Sequence, residues 1–87
     1  MDIDFDYYAA LGIAIIEKER GNFDDAIDML TKIFIIEKNN SRLLIELAEC
    51  HRLNDNKDQA VKLVKRSIDD GNNNPCIIEY YDDLIKM

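Results

Sequence analysis

Few side chains in this sequence could carry out covalent or metal chemistry. His51 is the single histidine, and Cys50 and Cys76 are the two cysteines. Adjacent residues on a helix point about 100° apart, so Cys50 and His51 would not form a nucleophile–base pair. The spacing of these three residues also matches no metal-ligand motif. We therefore expect Cys50 and His51 to be structural residues in or near the core, and we expect the protein not to be an enzyme.

Aspartate pairs are the second group of side chains that could bind a ligand. Asp24-Asp25 precede an apolar stretch, as acidic residues at a helix N-terminus do, and Asp69-Asp70 precede Gly71 as a solvated helix end. The third pair is Asp82-Asp83. No loop alternates oxygen ligands in the manner of a calcium site, and no glycine-rich phosphate loop occurs. The sequence therefore predicts neither a metal nor another cofactor.

The charge balance restricts the classes of partner. Eighteen acidic residues against eleven basic ones give a net charge of −7 in 87 residues. This excess argues against direct binding to nucleic acid and to anionic membranes, and it favours a protein partner with basic segments. The apolar runs are too short to span a membrane, and the acidic N-terminus lacks the basic start of a signal peptide. We therefore expect a cytoplasmic protein with free thiols, with a Cys50–Cys76 disulfide as the alternative.

Apolar residues recur at three- and four-residue spacing, which predicts five helices and no strands. We expect these helices over about 4–20, 22–38, 41–53, 57–68 and 75–86. Gly21 and Gly71 are typical helix ends, and Asn74-Pro75 is a typical helix start. Short connections make consecutive helices antiparallel. The predicted fold is a single all-α domain with one hairpin over about 4–38, a second over about 41–70 and a capping helix over about 75–86.

The residues that end one helix and begin the next repeat after 34 residues. The turn at 21–26 returns in weaker form at 55–60, and Asn40 returns as Asn74. A fixed period of this length is typical of stacked helical hairpins. Since one hairpin cannot bury its own apolar face, we expect the two hairpins to stack and the last helix to cover the open end.

The repeat resembles the tetratricopeptide repeat. That family's signature is a hydrophobic and a small residue in the first helix, a glycine turn, and an aromatic and an alanine opening the second helix. The first unit matches at Ile13-Ala14, Gly21, Phe23 and Ala26. The second unit matches at Leu47-Ala48 and Ala60 but has Asp55 in place of the glycine and Lys57 in place of the aromatic. The resemblance covers about residues 8–74, and 75–87 looks like a capping helix.

The resemblance implies a right-handed superhelical stack in which the first helix of each hairpin lines a concave groove for an extended peptide or a partner helix. The residues that it places toward this groove are Tyr8, Leu11, Gly12, Ile15 and Lys18, then Arg42, Ile45, Glu46, Glu49 and Arg52, then Glu79, Tyr80 and Asp83. The family variant that clamps a C-terminal carboxylate needs Lys, Asn and Arg on this surface. The corresponding places here hold Leu11, Ile15, Ile45, Glu46 and Glu49, which excludes that ligand class.

The expected groove is apolar at one end, with Leu11, Ile15 and Ile45, and acidic at the other. It suits a peptide or helix with both apolar and basic side chains. The predicted function is a protein–protein interaction module: an adaptor, a chaperone or a regulatory subunit. The alternative is a small acidic inhibitor that occupies a basic surface of its target, such as a nucleic-acid-binding one.

The first two helices carry more apolar residues than one buried stripe needs, which suggests self-association. Residues 33–36 are all apolar, and Ile35 and Ile16 exceed what one buried stripe needs. Either the helix is covered on both sides or a second subunit covers it. A homodimer is therefore one of the expected assemblies.

Overall fold

The computed structural model describes residues 7–37 and 40–87, and it describes side chains from residue 9 onward. Within these ranges the chain forms five helices and no strand: α1 (Tyr7–Glu19), α2 (Phe23–Ile36), α3 (Ser41–Leu53), α4 (Lys57–Asp69) and α5 (Pro75–Lys86). The predicted all-α fold is confirmed. The predicted start of the first helix near Asp4 falls outside the described residues. The second helix ends at Ile36, two residues before the expected end.

The 34-residue period holds for the starts of the helices that lie within the described residues. Helices α3 and α5 begin at Ser41 and Pro75, and α2 and α4 begin at Phe23 and Lys57. Every residue of the first hairpin therefore has an equivalent 34 positions later, and α5 corresponds to α1 and α3.

Both hairpin turns and the turn before α5 use the same Schellman motif. At the first turn, the amide of Gly21 donates to the Lys18 carbonyl (3.0 Å), and the amide of Asn22 donates to the Glu17 carbonyl (2.8 Å). This motif requires a left-handed residue, and Gly21 takes φ 84° there. Gly71 fills the same place before α5 with φ 109°, whereas the turn between α3 and α4 uses Asp55 with φ 62°.

Asparagine side chains cap α3 and α5. Asn40 Oδ1 accepts a hydrogen bond from the Leu43 amide (3.0 Å), and Asn74 Oδ1 accepts one from the Cys76 amide (2.9 Å). Asn74 also donates through Nδ2 to Ser41 Oγ at 2.9 Å, which ties the start of α5 to the start of α3. The repeated asparagines therefore fix where α3 and α5 begin relative to each other.

The helices form two layers, with α1, α3 and α5 in one and α2 and α4 in the other. Helix α3 contacts all four other helices, whereas the backbones of α2 and α4 do not approach each other closely within the described residues. The stack therefore curves with α1, α3 and α5 on its concave side, which we call the inner face.

Two apolar clusters hold the layers together. The first consists of Leu11, Ala14, Ala26, Leu30, Ile33, Leu43, Leu47 and Cys50. The second consists of Leu44, Ala48, Ala60, Val64, Ile77 and Leu84. Phe34 and Leu63 pack against both clusters. Four fully buried alanines, Ala14, Ala26, Ala48 and Ala60, let the helices of each hairpin approach closely.

Candidate functional site

Two groups of hydrogen bonds on the inner face link α1 to α3 and α3 to α5. Lys18 Nζ on α1 donates to Glu46 Oε1 on α3 at 2.8 Å. On the same helix Arg52 binds Glu49 through Nη2 (2.7 Å) and Nε (3.0 Å). Tyr80 on α5 donates through its hydroxyl to Glu49 Oε2 at 2.5 Å. We call these five side chains the polar ladder; they connect all three helices of the inner face.

The ladder is partly withdrawn from water, which strengthens its electrostatic contacts. The side chains of Lys18 and Glu46 are only 17% and 18% exposed. Burial acts to lower the pKa of Lys18, but the hydrogen bond and the charge of Glu46 outweigh it and raise that pKa. The hydrogen bond from Arg52, with a further one from Tyr80, lowers the pKa of Glu49 despite its partial burial. Burial and the bond to Glu49 raise the pKa of Tyr80. These groups are therefore held in the ionisation states that the ladder needs at neutral pH.

Because of the ladder, the acidic part of the inner face is smaller than the sequence predicted. The carboxylates of Glu46 and Glu49 are balanced by Lys18 and Arg52. Glu79 and Asp83 on α5 are exposed, and neither forms an ion pair within the part of the chain that the structure describes. Among the residues predicted for the inner face, the uncompensated acidity therefore lies on α5.

The apolar end of the predicted groove is smaller than the sequence suggested. Leu11 is only 6% exposed because it packs into the first core cluster, so it offers almost no surface to a partner. Ile15 and Ile45 are half-buried against the first and second clusters, and they keep part of their surface on the inner face. Arg42 is exposed near the start of α3. The side chain of Tyr8 lies outside the described ones.

The residues considered for covalent chemistry are enclosed or isolated. Cys50 is fully buried, as predicted, and burial raises the pKa of its thiol to about 11. His51 is half-buried; its Nδ1 atom has no hydrogen-bond partner among the described residues, and burial lowers its pKa. Cys76 is exposed, and both thiols are free. The described residues contain no cluster of side chains that could hold a metal ion.

A cleft of about 1040 Å³ lies away from the ladder, where α2 and α4 end and the chain turns into α5. Phe34, Leu63 and Pro75 give it an apolar lining, and 72–74 form part of its rim. The Asn72 side-chain amide donates to Ser67 Oγ at 3.0 Å, so it is already engaged within the protein.

Several isoleucines remain on the surface of the single chain. Ile35 and Ile36 are each 63% exposed near the end of α2, and Ile16 is 51% exposed on α1. The apolar excess noted at Ile35 and Ile16 is thus not buried within the chain.

Comparison with protein families places the middle of the chain in one of them. Residues 18–76, more than half of the chain, match the family model described as tetratricopeptide repeat. Comparisons with curated proteins and with solved structures find no match. None of the helices in the described residues is long and apolar enough to cross a membrane.

Proposed function

Because this chain belongs to the tetratricopeptide repeat family, whose repeats generally mediate protein–protein interactions, we propose that its inner face holds a segment of another protein. In this proposal the chain is a non-enzymatic adaptor, chaperone or regulatory subunit. The bound segment is an extended peptide or a helix, and it lies across α1, α3 and α5.

The observation that carries this proposal is the polar ladder. Its hydrogen bonds fix Glu46, Glu49, Arg52 and Tyr80, which come from two different helices, in single positions before any partner binds. Binding to side chains that are already ordered costs less conformational entropy than binding to mobile ones. The ladder therefore gives the inner face the rigidity that a recognition surface needs.

The distribution of charge indicates the chemistry of the partner. Ile15 and Ile45 offer a narrow apolar strip on α1 and α3. Glu79 and Asp83 offer exposed carboxylates on α5. A partner segment with apolar side chains toward α1 and α3 and basic side chains toward α5 complements both features.

The acidic inhibitor is the competing function, and it has less support. Three exposed aspartates, Asp28, Asp69 and Asp82, each pair with a lysine four residues away on the same helix. These lysines reduce the negative field that the helices would present to a basic target.

A displayed library of random peptides tests the proposal and does not require the partner to be identified first. We expect selection on the wild-type protein to enrich peptides that combine Lys or Arg with Leu, Ile or Phe. The selected peptides should bind a Glu79→Lys, Asp83→Lys variant at least tenfold more weakly. Their affinity for the wild-type protein should also fall as salt rises.

The matched control makes the same charge change on the layer formed by α2 and α4. Glu37→Lys and Asp70→Lys reverse two exposed carboxylates at the ends of α2 and α4, where a cation is favoured by the helix dipole. This control should bind the selected peptides as the wild-type protein does. Equal loss in both variants would favour the outer acidic surfaces and the inhibitor function. Unchanged binding to the Glu79→Lys, Asp83→Lys variant would contradict the assignment of the inner face.

A further inference from the structure

Two of the three equivalent inner helices are covered by an outer helix that precedes them. Helix α3 packs against α2 with Leu43, Leu47 and Cys50, all in the first cluster. Helix α5 packs against α4 with Ile77 and Leu84, which lie 34 residues after Leu43 and Cys50. The same positions of the repeat are therefore buried twice by the same kind of neighbour.

On α1 the equivalent positions are open. Ile13 and Ile16 lie 34 residues before Leu47 and Cys50, yet they are 49% and 51% exposed, against 3% and 0% for the later pair. Helical repeats usually carry polar residues on a face that no neighbouring helix covers. Here two isoleucines lie one turn apart at the centre of it. We call this surface the open α1 face.

We propose that the open α1 face binds an amphipathic helix of another protein, in the place on α1 that α2 takes on α3. The protein itself provides the template for this contact, because the covering helix of the equivalent face is present in the structure. The site is separate from the inner face and does not depend on the function proposed for it.

The template specifies what the partner helix must carry. Helix α2 contributes Leu30 and Ile33 to the first cluster, both essentially fully buried. Near its start, Asp24 Oδ1 accepts a hydrogen bond from Asn54 Nδ2 at 3.1 Å, at the end of α3. The partner therefore needs a carboxylate in its first turn and apolar residues six and nine positions later.

At the end of α1, the residue equivalent to Asn54 is charged and can make a stronger polar contact with the partner helix. Arg20 lies 34 residues before Asn54, at the end of α1, with its side chain 68% exposed. Its Nη1 atom forms a long ion pair with Oε2 of Glu17 on the same helix, at 3.8 Å. An incoming carboxylate in the place of Asp24 would meet a guanidinium instead of an amide, and a charge-assisted hydrogen bond is the stronger of the two. The charge at this end of α1 therefore favours a partner helix that begins with an acid.

A second copy of this chain does not supply that helix. Among the outer helices only α2 has the required pattern, because the residue nine positions after Asp58 in α4 is Ser67. Helix α2 uses this pattern within the core, where Leu30 and Ile33 are both buried. Presenting α2 to another molecule would require unfolding of its own hairpin. The occupant that we propose is therefore not an outer helix of a second copy.

The α2 sequence itself supplies the probe. A labelled synthetic peptide of residues 22–37, with the exposed Ile35 and Ile36 changed to glutamate for solubility, presents Asp24, Leu30 and Ile33. We expect fluorescence anisotropy to show binding to the full chain and at least a tenfold loss of affinity for Ile16→Lys. Ile85→Lys, at an isoleucine of similar exposure on α5, should bind normally.

A charge swap tests the orientation of the helix. Arg20→Glu should weaken binding about threefold to tenfold, and changing the peptide residue Asp24 to Lys should restore affinity for that variant. The Glu79→Lys, Asp83→Lys variant should keep full affinity for this peptide, which separates this site from the inner face. Unchanged binding to Ile16→Lys, or no recovery in the charge swap, would overturn the proposal. So would a wild-type dimer that Ile16→Lys converts to a monomer, because a second copy would then be the occupant.

Discussion

Tyr80 on α5 donates a hydrogen bond of 2.5 Å to Glu49 on α3, and this bond links the closing helix to the inner face of the second hairpin. Replacing Tyr80 with phenylalanine removes the donor and leaves the ring. A hydrogen bond to a charged group contributes about 1.5–3 kcal/mol, and partial exposure reduces this, so we expect the free energy of unfolding to fall by about 1 kcal/mol.

Urea denaturation followed by far-UV circular dichroism measures this change. Tyr81→Phe is the matched control, because Tyr81 is a half-buried neighbour whose hydroxyl makes no hydrogen bond among the described residues. It should change the free energy of unfolding by less than about 0.5 kcal/mol. Equal effects of the two substitutions would mean that the bond to Glu49 does not stabilise the fold.

The ladder also predicts a pH dependence at Glu49. The hydrogen bond from Arg52 lowers the pKa of this carboxyl below its ordinary value of 4.5 in the folded state. Ionised Glu49 therefore stabilises the fold above pH 4.5, and this contribution disappears as the pH falls through the lowered folded-state pKa. We expect Glu49→Gln to cost about 1 kcal/mol at pH 7 and progressively less below about pH 4.5.

Unfolding curves at pH 7, 5, 4 and 3 for the wild type and Glu49→Gln measure this dependence. Glu79→Gln controls for the loss of one negative charge on the same face, and it should change stability little at any of these pH values. A cost of Glu49→Gln that stayed constant down to pH 3 would contradict the stabilising role of the ionised carboxylate.

Several helix boundaries could be predicted from the sequence because their signals are local. Gly21 ends α1, and Asn40 and Asn74 cap α3 and α5, each through contacts within five residues along the chain. Such contacts depend on residue type and spacing alone, so they can be inferred before any tertiary structure is known.

The surface was harder to predict because it depends on residues that are distant in sequence. Leu11 and Ile45 hold equivalent places in the repeat, yet Leu11 is buried and Ile45 keeps part of its surface. Lys18 and Glu46 are 28 residues apart, and nothing in the spacing showed that they would neutralise each other. The sequence therefore did not indicate how the charges of the predicted inner-face residues balance.

Asp55 offers a direct test of the turn chemistry. It adopts φ 62° at the place where the other two turns have glycine, a conformation that costs a residue with a Cβ atom more than it costs glycine. We expect Asp55→Gly to raise the free energy of unfolding by about 0.5–1 kcal/mol. The reciprocal Gly21→Asp should lower it by a similar amount, since a Cβ atom at Gly21 meets no other atom within 4 Å and only backbone strain is added.

Thermal and urea unfolding of both variants measure these two effects. Opposite signs would show that the left-handed residue, and not the particular hairpin, determines the cost of the turn. Destabilisation by Asp55→Gly would instead mean that the Asp55 side chain makes a stabilising contact of its own.

The two thiols should differ strongly in reactivity. Cys50 is fully buried and its pKa is raised to about 11, whereas Cys76 is exposed in the first turn of α5. At pH 8 only about one Cys50 thiol in a thousand would be ionised even if a reagent could reach it.

We expect a colorimetric thiol reagent to modify one cysteine quickly and the other only as the protein unfolds. Cys76→Ser should abolish the fast phase, and Cys50→Ser should preserve it. Because Cys50 packs between α2 and α3, the rate of the slow phase in low urea would then report how often the contact between the two hairpins opens. Two equally fast thiols in the wild-type protein would contradict the burial of Cys50.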